Sequence, residues 1–341
     1  MVIVILAAGR VVRMRSSRAK VLYPLAGLPL IGHVLATARA LRPDRLLTVV
    51  GHQGEQVEEF LRGQEGPPVE AVLQDAPLGT AHALLQTEAP LRGERGDLLV
   101  LSGDVPLLRL KTVASLLTTH RRTQAAITLL TLEAEHPEGY GRVVRGEDGQ
   151  VVRIVEEADL TPGDRAIREL NAGAYCLALP WVFEALSTIQ PRKGRGEFLL
   201  TDIVEVAVWG GCQVSVHRAP SEEALGINNR QDLGRADEIL RKRTTEAARE
   251  RGGIFLDPAR VYLDVTAQME PGARVFPDVH VLGQSHLGSG CTVGANTVII
   301  DARVGEGAIL GSGCVIQGVT IPPGAKVPPR TRLRGPGRSD G

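Results

Sequence analysis

Neither sign of charge predominates in this chain, where thirty-nine Lys and Arg balance thirty-nine Asp and Glu over 341 residues. No overall field therefore holds it on nucleic acid or an anionic membrane, and any polyanion it binds must be gripped locally. Lysine is scarce, with only Lys20, Lys111, Lys193, Lys242 and Lys326 among the basic residues, so a lysine in a chosen place carries more meaning than an arginine. Long apolar runs are missing as well. Residues 2–8 come nearest to a secretion signal, yet no basic segment precedes them and Gly9-Arg10 ends the run, which reads as a buried strand. No other stretch approaches the length of a membrane span. Cysteine is limited to positions 176, 212, 291 and 314 without a Cys-x-x-Cys pair, which excludes a zinc ribbon or a disulfide framework and fits a reduced cytoplasm. What is present, 43% hydrophobic and 23% charged residues, excludes disorder and leaves a soluble chain long enough for two domains.

Up to residue 227, short β-branched runs alternate with helical patterns. Residues 2–6, 46–50, 69–74 and 98–101 read as strands, with helices at 29–41, 55–62, 79–88 and 110–120 between them. That alternation predicts an α/β fold with a doubly wound, mostly parallel, Rossmann-like sheet. Further strand patterns at 126–132, 142–144, 151–155, 172–177 and 213–216 are closely spaced and predict antiparallel additions around a pocket. Residues 229–251 are polar helix formers with one narrow apolar stripe, Leu233, Ala236, Ile239 and Leu240, as in a connecting helix.

Beyond Asp257 aliphatic residues recur about every sixth position, at 269, 275, 281, 287, 293 and 299, then 304, 310, 316, 321, 327 and 333. A short left-handed parallel β-helix needs that period, each hexad forming one face of a triangular coil with its aliphatic residue inward. Counted from 269 to 333, the hexads leave room for fewer than four coils. Cys291 and Cys314 sit where Ser, Thr and Ala also occur and read as packing residues. The expected domains are 1–228, a connecting helix at 229–252, the β-helix at 253–334 and a tail at 335–341.

The segment from Leu6-Ala7-Ala8-Gly9 to Lys20 follows the first strand directly. Small residues at the carboxyl end of a parallel strand let backbone N–H groups approach phosphate, and Arg13 and Lys20 add mobile positive charge. Neither the Gly-x-x-x-x-Gly-Lys-Ser/Thr loop nor Gly-x-Gly-x-x-Gly is present, so this is no P-loop, and nicotinamide or flavin binding is poorly supported.

With Arg13-Met14 and Lys20-Val-Leu, that opening resembles the sugar-nucleotide pyrophosphorylases. Gln74-Asp-Ala-Pro-Leu-Gly79-Thr80-Ala-His-Ala, Gly103-Asp104-Val-Pro-Leu, Gly139-Tyr-Gly141-Arg142, Ile154-Val-Glu156-Glu, Asn171-Ala-Gly, Gly196-Glu197-Phe-Leu-Leu-Thr201-Asp202 and Gly226-Ile-Asn228-Asn229-Arg230 follow in the family's order. They resemble one branch, the bacterial bifunctional enzymes that acetylate glucosamine 1-phosphate and then uridylylate N-acetylglucosamine 1-phosphate. The resemblance implies a nucleotidyltransferase domain, UTP and a hexosamine 1-phosphate as substrates, Mg²⁺ as cofactor and a homotrimer built through the β-helix. It implies that Asp104 and Asn228 hold the metal and that Arg13 and Lys20 neutralise charge on the transferring phosphates. Leu6, Ala7, Ala8, Gly9, Gln74, Gly79 and Thr80 are implied to line the nucleotide site, with Gly141, Glu156, Asn171 and Asn228 toward the sugar. His82 has no implied role and reads as a core or surface residue.

The chain departs from the pattern at four places. Val11 and Val12 stand where the family has glycine and threonine, which restricts the phosphate loop. Ser102 and Leu199 replace aromatics near the sugar, leaving glucose and glucosamine 1-phosphate open beside N-acetylglucosamine 1-phosphate. Ala158 replaces a lysine. The basic residues and histidine of the family's acetyl-transfer site find no counterpart in residues 291–334, so acetyltransferase activity is expected to be absent. The alternatives are thymidylyl or guanylyl transfer to another hexose 1-phosphate, and a non-catalytic paralogue that binds sugar nucleotides.

Overall fold

The computed structural model describes residues 1–9, 18–134, 137–192, 194 and 196–335. In chain order the first part runs β1 (Val2–Leu6), α1 (Leu30–Ala40), β2 (Arg45–Val50), α2 (Gly54–Arg62), β3 (Glu70–Leu73), α3 (Thr80–Leu85), β4 (Gly96–Ser102) and α4 (Leu110–Thr123). It continues with β5 (Ile127–Glu133), β6 (Arg142–Arg145), β7 (Val151–Val155), β8 (Glu169–Leu179), α5 (Trp181–Thr188), α6 (Ile203–Trp209), β9 (Val214–Arg218) and α7 (Arg230–Glu250). The main sheet has the order β9-β5-β8-β4-β1-β2-β3, with the β6–β7 pair hanging from β8.

β1 pairs in parallel with both β2 and β4, and β3 extends the parallel set beyond β2. Being covered on both faces, β1 is apolar throughout: Val2 and Val4 enter one core with Leu84, Val182 and Ile203, while Ile3 and Ile5 enter the other with Ile31, Val57 and Leu116. Each such side chain contributes about 1.5–3 kcal/mol by leaving water. The sheet is thus doubly wound, and its strand order reverses between β1 and β4. That reversal opens a crevice at their carboxyl ends, the usual ligand position in such sheets.

β8 is antiparallel to β4 and β5, and β6 is antiparallel to β7 and β8, as the spacing predicts. β9 corrects the expectation, since it runs parallel to β5. The reason is α6, whose length of chain carries the backbone across the sheet before β9 begins.

Two compact units result: Met1–Tyr23 with Pro29–Asp232, and Pro24–Leu28 with Leu233–Gly341. The second contains a left-handed β-helix whose three parallel faces have five, five and four rungs. Met269, Val275, Val281, Leu287, Val293, Ile299, Val304, Leu310, Ile316 and Ile321 are all buried, as are Cys291 and Cys314. The coil therefore exceeds the number read from the hexads. Its first turn begins at Ile254, where Ile254 pairs with Arg274 across a longer step than Arg274 to Thr292. A 3-10 turn at Pro258–Arg260 lengthens that step and erases the six-residue period. The shorter steps after Ile299 and Ile316 each turn on a left-handed residue, Asp301 (φ 47°) and Gly318 (φ 64°). Among the described residues no helix is long and apolar enough to cross a membrane.

Candidate functional site

The crevice at the ends of β1 and β4 is a cleft of about 500 Å³ lined by Leu6, Ala7, Ala8, Gly9, Lys20, Gln74, Gly79, Thr80, Ser102, Asp104 and Glu197, among others. Nine of the residues singled out from sequence thus share one cavity wall. Ser102, singled out above as a departure from the family, joins them, and Glu197 is an addition that stood inside a recognised motif but carried no assigned role. A neighbouring trough of about 540 Å³, lined by Arg192, Asp202 and Trp209 among others, shares Glu197, but none of the described residues of the loops after β1 and β4 lines it. Arg13, with Val11 and Val12, lies outside the described residues.

The floor of the cleft follows from strand register. Leu6 sits opposite Ser102, and the Gly103 N–H donates to the Leu6 carbonyl at 2.9 Å. Asp104 therefore leaves β4 beside the loop that follows β1. Its own carbonyl accepts from the Ile227 N–H at 2.9 Å, which brings the distant Gly226–Asn229 segment alongside. That segment is held by the start of α7: the Asn229 side chain accepts from the Asp232 N–H, and the Asp232 carboxylate accepts from the N–H groups of Asn228 and Asn229. This reciprocal cap satisfies orphan helix donors and fixes where Asn228 stands.

Three predicted residues then meet at one point. The Lys20 ammonium donates to Asp104 Oδ2 at 2.5 Å and to Asn228 Oδ1 at 2.9 Å. Lys20 and Asp104 are largely withdrawn from solvent, with side-chain exposures of 15% and 29%. Two hard oxygen donors thus converge on a single cationic centre. Among the described residues no group of three or more His, Cys, Asp or Glu side chains forms a self-sufficient metal cage.

The turn opposite is built on Gly79. Its φ of 100° and ψ of 178° belong to glycine alone, and an added Cβ would lie 2.4 Å from the Phe198 carbonyl oxygen. The closeness reflects real pairing: Phe198 N–H donates to the Leu78 carbonyl, Ala81 N–H to the Phe198 carbonyl and Leu200 N–H to Thr80 Oγ1. Thr80 Oγ1 is thereby engaged within the wall. Gln74, buried just past β3, donates from Nε2 to the Gly79 carbonyl at 3.0 Å and leaves its amide oxygen to the cleft.

Gly141, Glu156 and Asn171 are not among the residues that line this cleft but connect to it through intervening residues. Glu156 accepts from the Thr201 hydroxyl at 2.8 Å, and Thr201 follows Leu200, whose N–H donates to Thr80 of the cleft. Burial pushes the Glu156 carboxyl above its ordinary range, opposed by the Thr201 hydroxyl. Gly141 is packed against the neighbouring strand, where an added Cβ would lie 2.9 Å from the Ile154 side chain. Asn171 lies at an irregularity in β8, where its side-chain oxygen Oδ1 accepts from the Gly173 N–H and its side-chain amide donates to Tyr175 Oη at 2.6 Å. Ser102, in the cleft, donates to the Gly173 carbonyl at 3.0 Å and so ties this loop to the wall. Burial holds the Tyr175 phenol strongly protonated.

Residues 3–200 match the MobA-like NTP transferase domain family. The chain is 41% identical over 297 residues to the bifunctional protein GlmU of Geobacter metallireducens, a match covering 87% of this chain and 62% of that protein. It is 39% identical over 332 residues to the bifunctional protein GlmU of Anaeromyxobacter dehalogenans, covering 97% and 68%, and 38% identical over 322 residues to that of an Exiguobacterium species, covering 89% and 70%. The chain thus spans less than two thirds of the Geobacter relative's length.

Proposed function

The chain belongs to the MobA-like NTP transferase domain family and to the family of the bifunctional GlmU proteins, and from that premise we propose that it is a Mg²⁺-dependent uridylyltransferase joining UTP and N-acetylglucosamine 1-phosphate into UDP-N-acetylglucosamine and pyrophosphate. The observation that carries the reading is the meeting of Lys20, Asp104 and Asn228 by the carboxyl ends of β1 and β4.

The residues fit a divalent cation. Asp104 Oδ2 and Asn228 Oδ1 already converge on one positive centre, the Lys20 ammonium, and a carboxylate with an amide oxygen is a donor set that Mg²⁺ accepts when substrate phosphates complete its shell. Asp104 and Asn228 would hold the ion, which when bound supplies charge neutralisation across the triphosphate. Lys20 would then turn from the carboxylate to the phosphates, and Arg13 would add a second positive group. The attacking atom is a phosphate oxygen of the sugar phosphate. It forms a bond to the α-phosphorus as the bond to pyrophosphate breaks, so the protein needs neither a nucleophile nor a base. Its contribution is alignment and electrostatic stabilisation.

Selection of the base would fall to Gln74 Oε1, an acceptor suited to the N3–H of uracil, beside the Gly79-Thr80 turn. Gly141, Glu156 and Asn171 would act toward the sugar beyond the cleft lining, through Thr201 and the Gly173 loop, and Ser102 leaves room there that an aromatic would fill. A panel of UTP and dTTP, each with N-acetylglucosamine, glucosamine and glucose 1-phosphates, should rank UTP with the N-acetylated sugar first; a clear preference for another pair would move the assignment to that nucleotide and sugar.

We also propose that the β-helix makes the chain a trimer. Leu282, Val298, Ile300 and Val315 sit on the outward side of one face, between buried neighbours, and stay only partly covered in the single chain. Sedimentation of the full chain should give three times the monomer mass, and a monomer independent of concentration would remove the claim.

A further inference from the structure

His82 had no role in the sequence and none in the chemistry above, yet the cleft wall is arranged around it. Its Nδ1 lies 3.0 Å from Gln74 Nε2, and that same Nε2 donates to the Gly79 carbonyl at 3.0 Å. A backbone carbonyl only accepts, so the amide nitrogen of Gln74 must face it. The second hydrogen of the same NH₂ group then points at His82, and Nδ1 must be the acceptor. Two fixed acceptors thus hold both hydrogens of one amide. The amide oxygen is left as the group that Gln74 presents to the cleft it lines.

The other side of the ring tests this tautomer. His82 Nε2 lies 3.2 Å from Gln86 Nε2, which also donates to the His82 carbonyl at 3.0 Å. Both neighbouring amides therefore offer hydrogens to a ring that, when neutral, has one acceptor. Each amide also has a backbone carbonyl for its second hydrogen, so burial and distance decide: Gln74 is buried and makes the 3.0 Å contact, whereas Gln86 is partly exposed, makes the 3.2 Å one and can exchange it for water. The proton therefore belongs on Nε2, with Nδ1 kept for Gln74.

We propose that His82 is a positioning residue for base selection: it locks the Gln74 amide so that an oxygen, rather than an NH₂ group, meets the base. The inference rests on the reading of Gln74 as the residue facing the base. Its sign follows from the edges of the bases. An oxygen at that place accepts the N3–H of uracil and repels the bare N3 of cytosine, and a turned amide would reverse both. Uracil and thymine both carry the N3–H, so the lock separates UTP from CTP and leaves dTTP to other contacts.

The test uses the full chain with His82→Leu and His82→Asn. Asparagine offers an oxygen close to the place of Nδ1; leucine fills the space without an acceptor. Losing one such bond while the Gly79 bond remains should narrow the UTP-over-CTP ratio of kcat/KM by about three- to tenfold in His82→Leu. His82→Asn should keep the parent ratio, and the KM for the sugar 1-phosphate should stay put in both. The same ratio, taken from calorimetric Kd values for UTP and CTP, reads the lock in a protein that releases no pyrophosphate. Failure of the transferase reading is thereby seen apart from failure of this one. Nitrogen-15 spectra of the parent should show the proton of His82 on Nε2. A folded His82→Leu protein with an unchanged ratio, a His82→Asn protein that loses the ratio as leucine does, a parent that does not prefer UTP to CTP in binding, or a proton on Nδ1 would each overturn the proposal.

Discussion

Replacing Lys20 by alanine should lower turnover by about 10²-fold or more, the scale of removing a preorganised charge that acts on a transferring group. The side chain is the one described cation whose ammonium lies on both Asp104 and Asn228, and it lines the same cleft as the loop after β1. Little of the loss should come from unfolding, because Lys20 sits in a single 3-10 turn whose packing is carried by Val21. The variant has a second expected property of opposite direction. With the ammonium gone, Asp104 and Asn228 lose their internal cation, so Mn²⁺ measured by spin resonance in the absence of nucleotide should bind more tightly than to the parent. Loss of turnover with tighter metal binding identifies Lys20 as a phosphate cation that also shields the metal oxygens. Near-parental turnover would remove it from the mechanism.

Asp104→Asn should be nearly as damaging, again about 10²-fold in turnover, with a raised Mg²⁺ requirement. The substitution keeps the shape and removes the charge. It also keeps the structural task of this residue, since the bond that draws in the Asn228 segment is made to the Asp104 backbone carbonyl. Thermal unfolding close to the parent, together with a Mg²⁺ titration displaced to higher concentration, is the expected pair of results. Full activity at low Mg²⁺ would place the metal elsewhere.

Much of this site was legible because its positions are written in backbone terms. A run of small residues after an apolar strand marks a loop open to a ligand, and Leu6–Gly9 does line the cleft. Gly79 needs its left-handed conformation and its contact with the Phe198 carbonyl, so its identity betrays its place. His82 was not legible, because a histidine on a short helix takes its meaning from Gln74, eight residues earlier, only once the turn has folded back. Glu197 was hidden for the same reason, as its loop reaches the cleft through pairing with the Leu78–Ala81 turn.

The fold shows the same division. β1 announces itself by an unbroken apolar run, and the β-helix by the period of its hexads. α6 does not, since Ile203, Val204, Val206 and Val208 are β-branched residues that favour strands, and the helix is held by the burial of Ile203, Val204 and Ala207 against the sheet. α7 displayed its stripe only as far as Leu240, because the buried residues that continue it are the small Thr245 and Ala248.

Pyrophosphate release from UTP, Mg²⁺ and N-acetylglucosamine 1-phosphate, followed beside reactions lacking either the metal or the sugar phosphate, tests the central claim most directly. Release that needs all three, with UDP-N-acetylglucosamine as the second product, is the predicted result. Tight binding of UDP-N-acetylglucosamine with no pyrophosphate released from any nucleotide and sugar pair would contradict it, and would make this cleft a binding site on a nucleotidyltransferase fold.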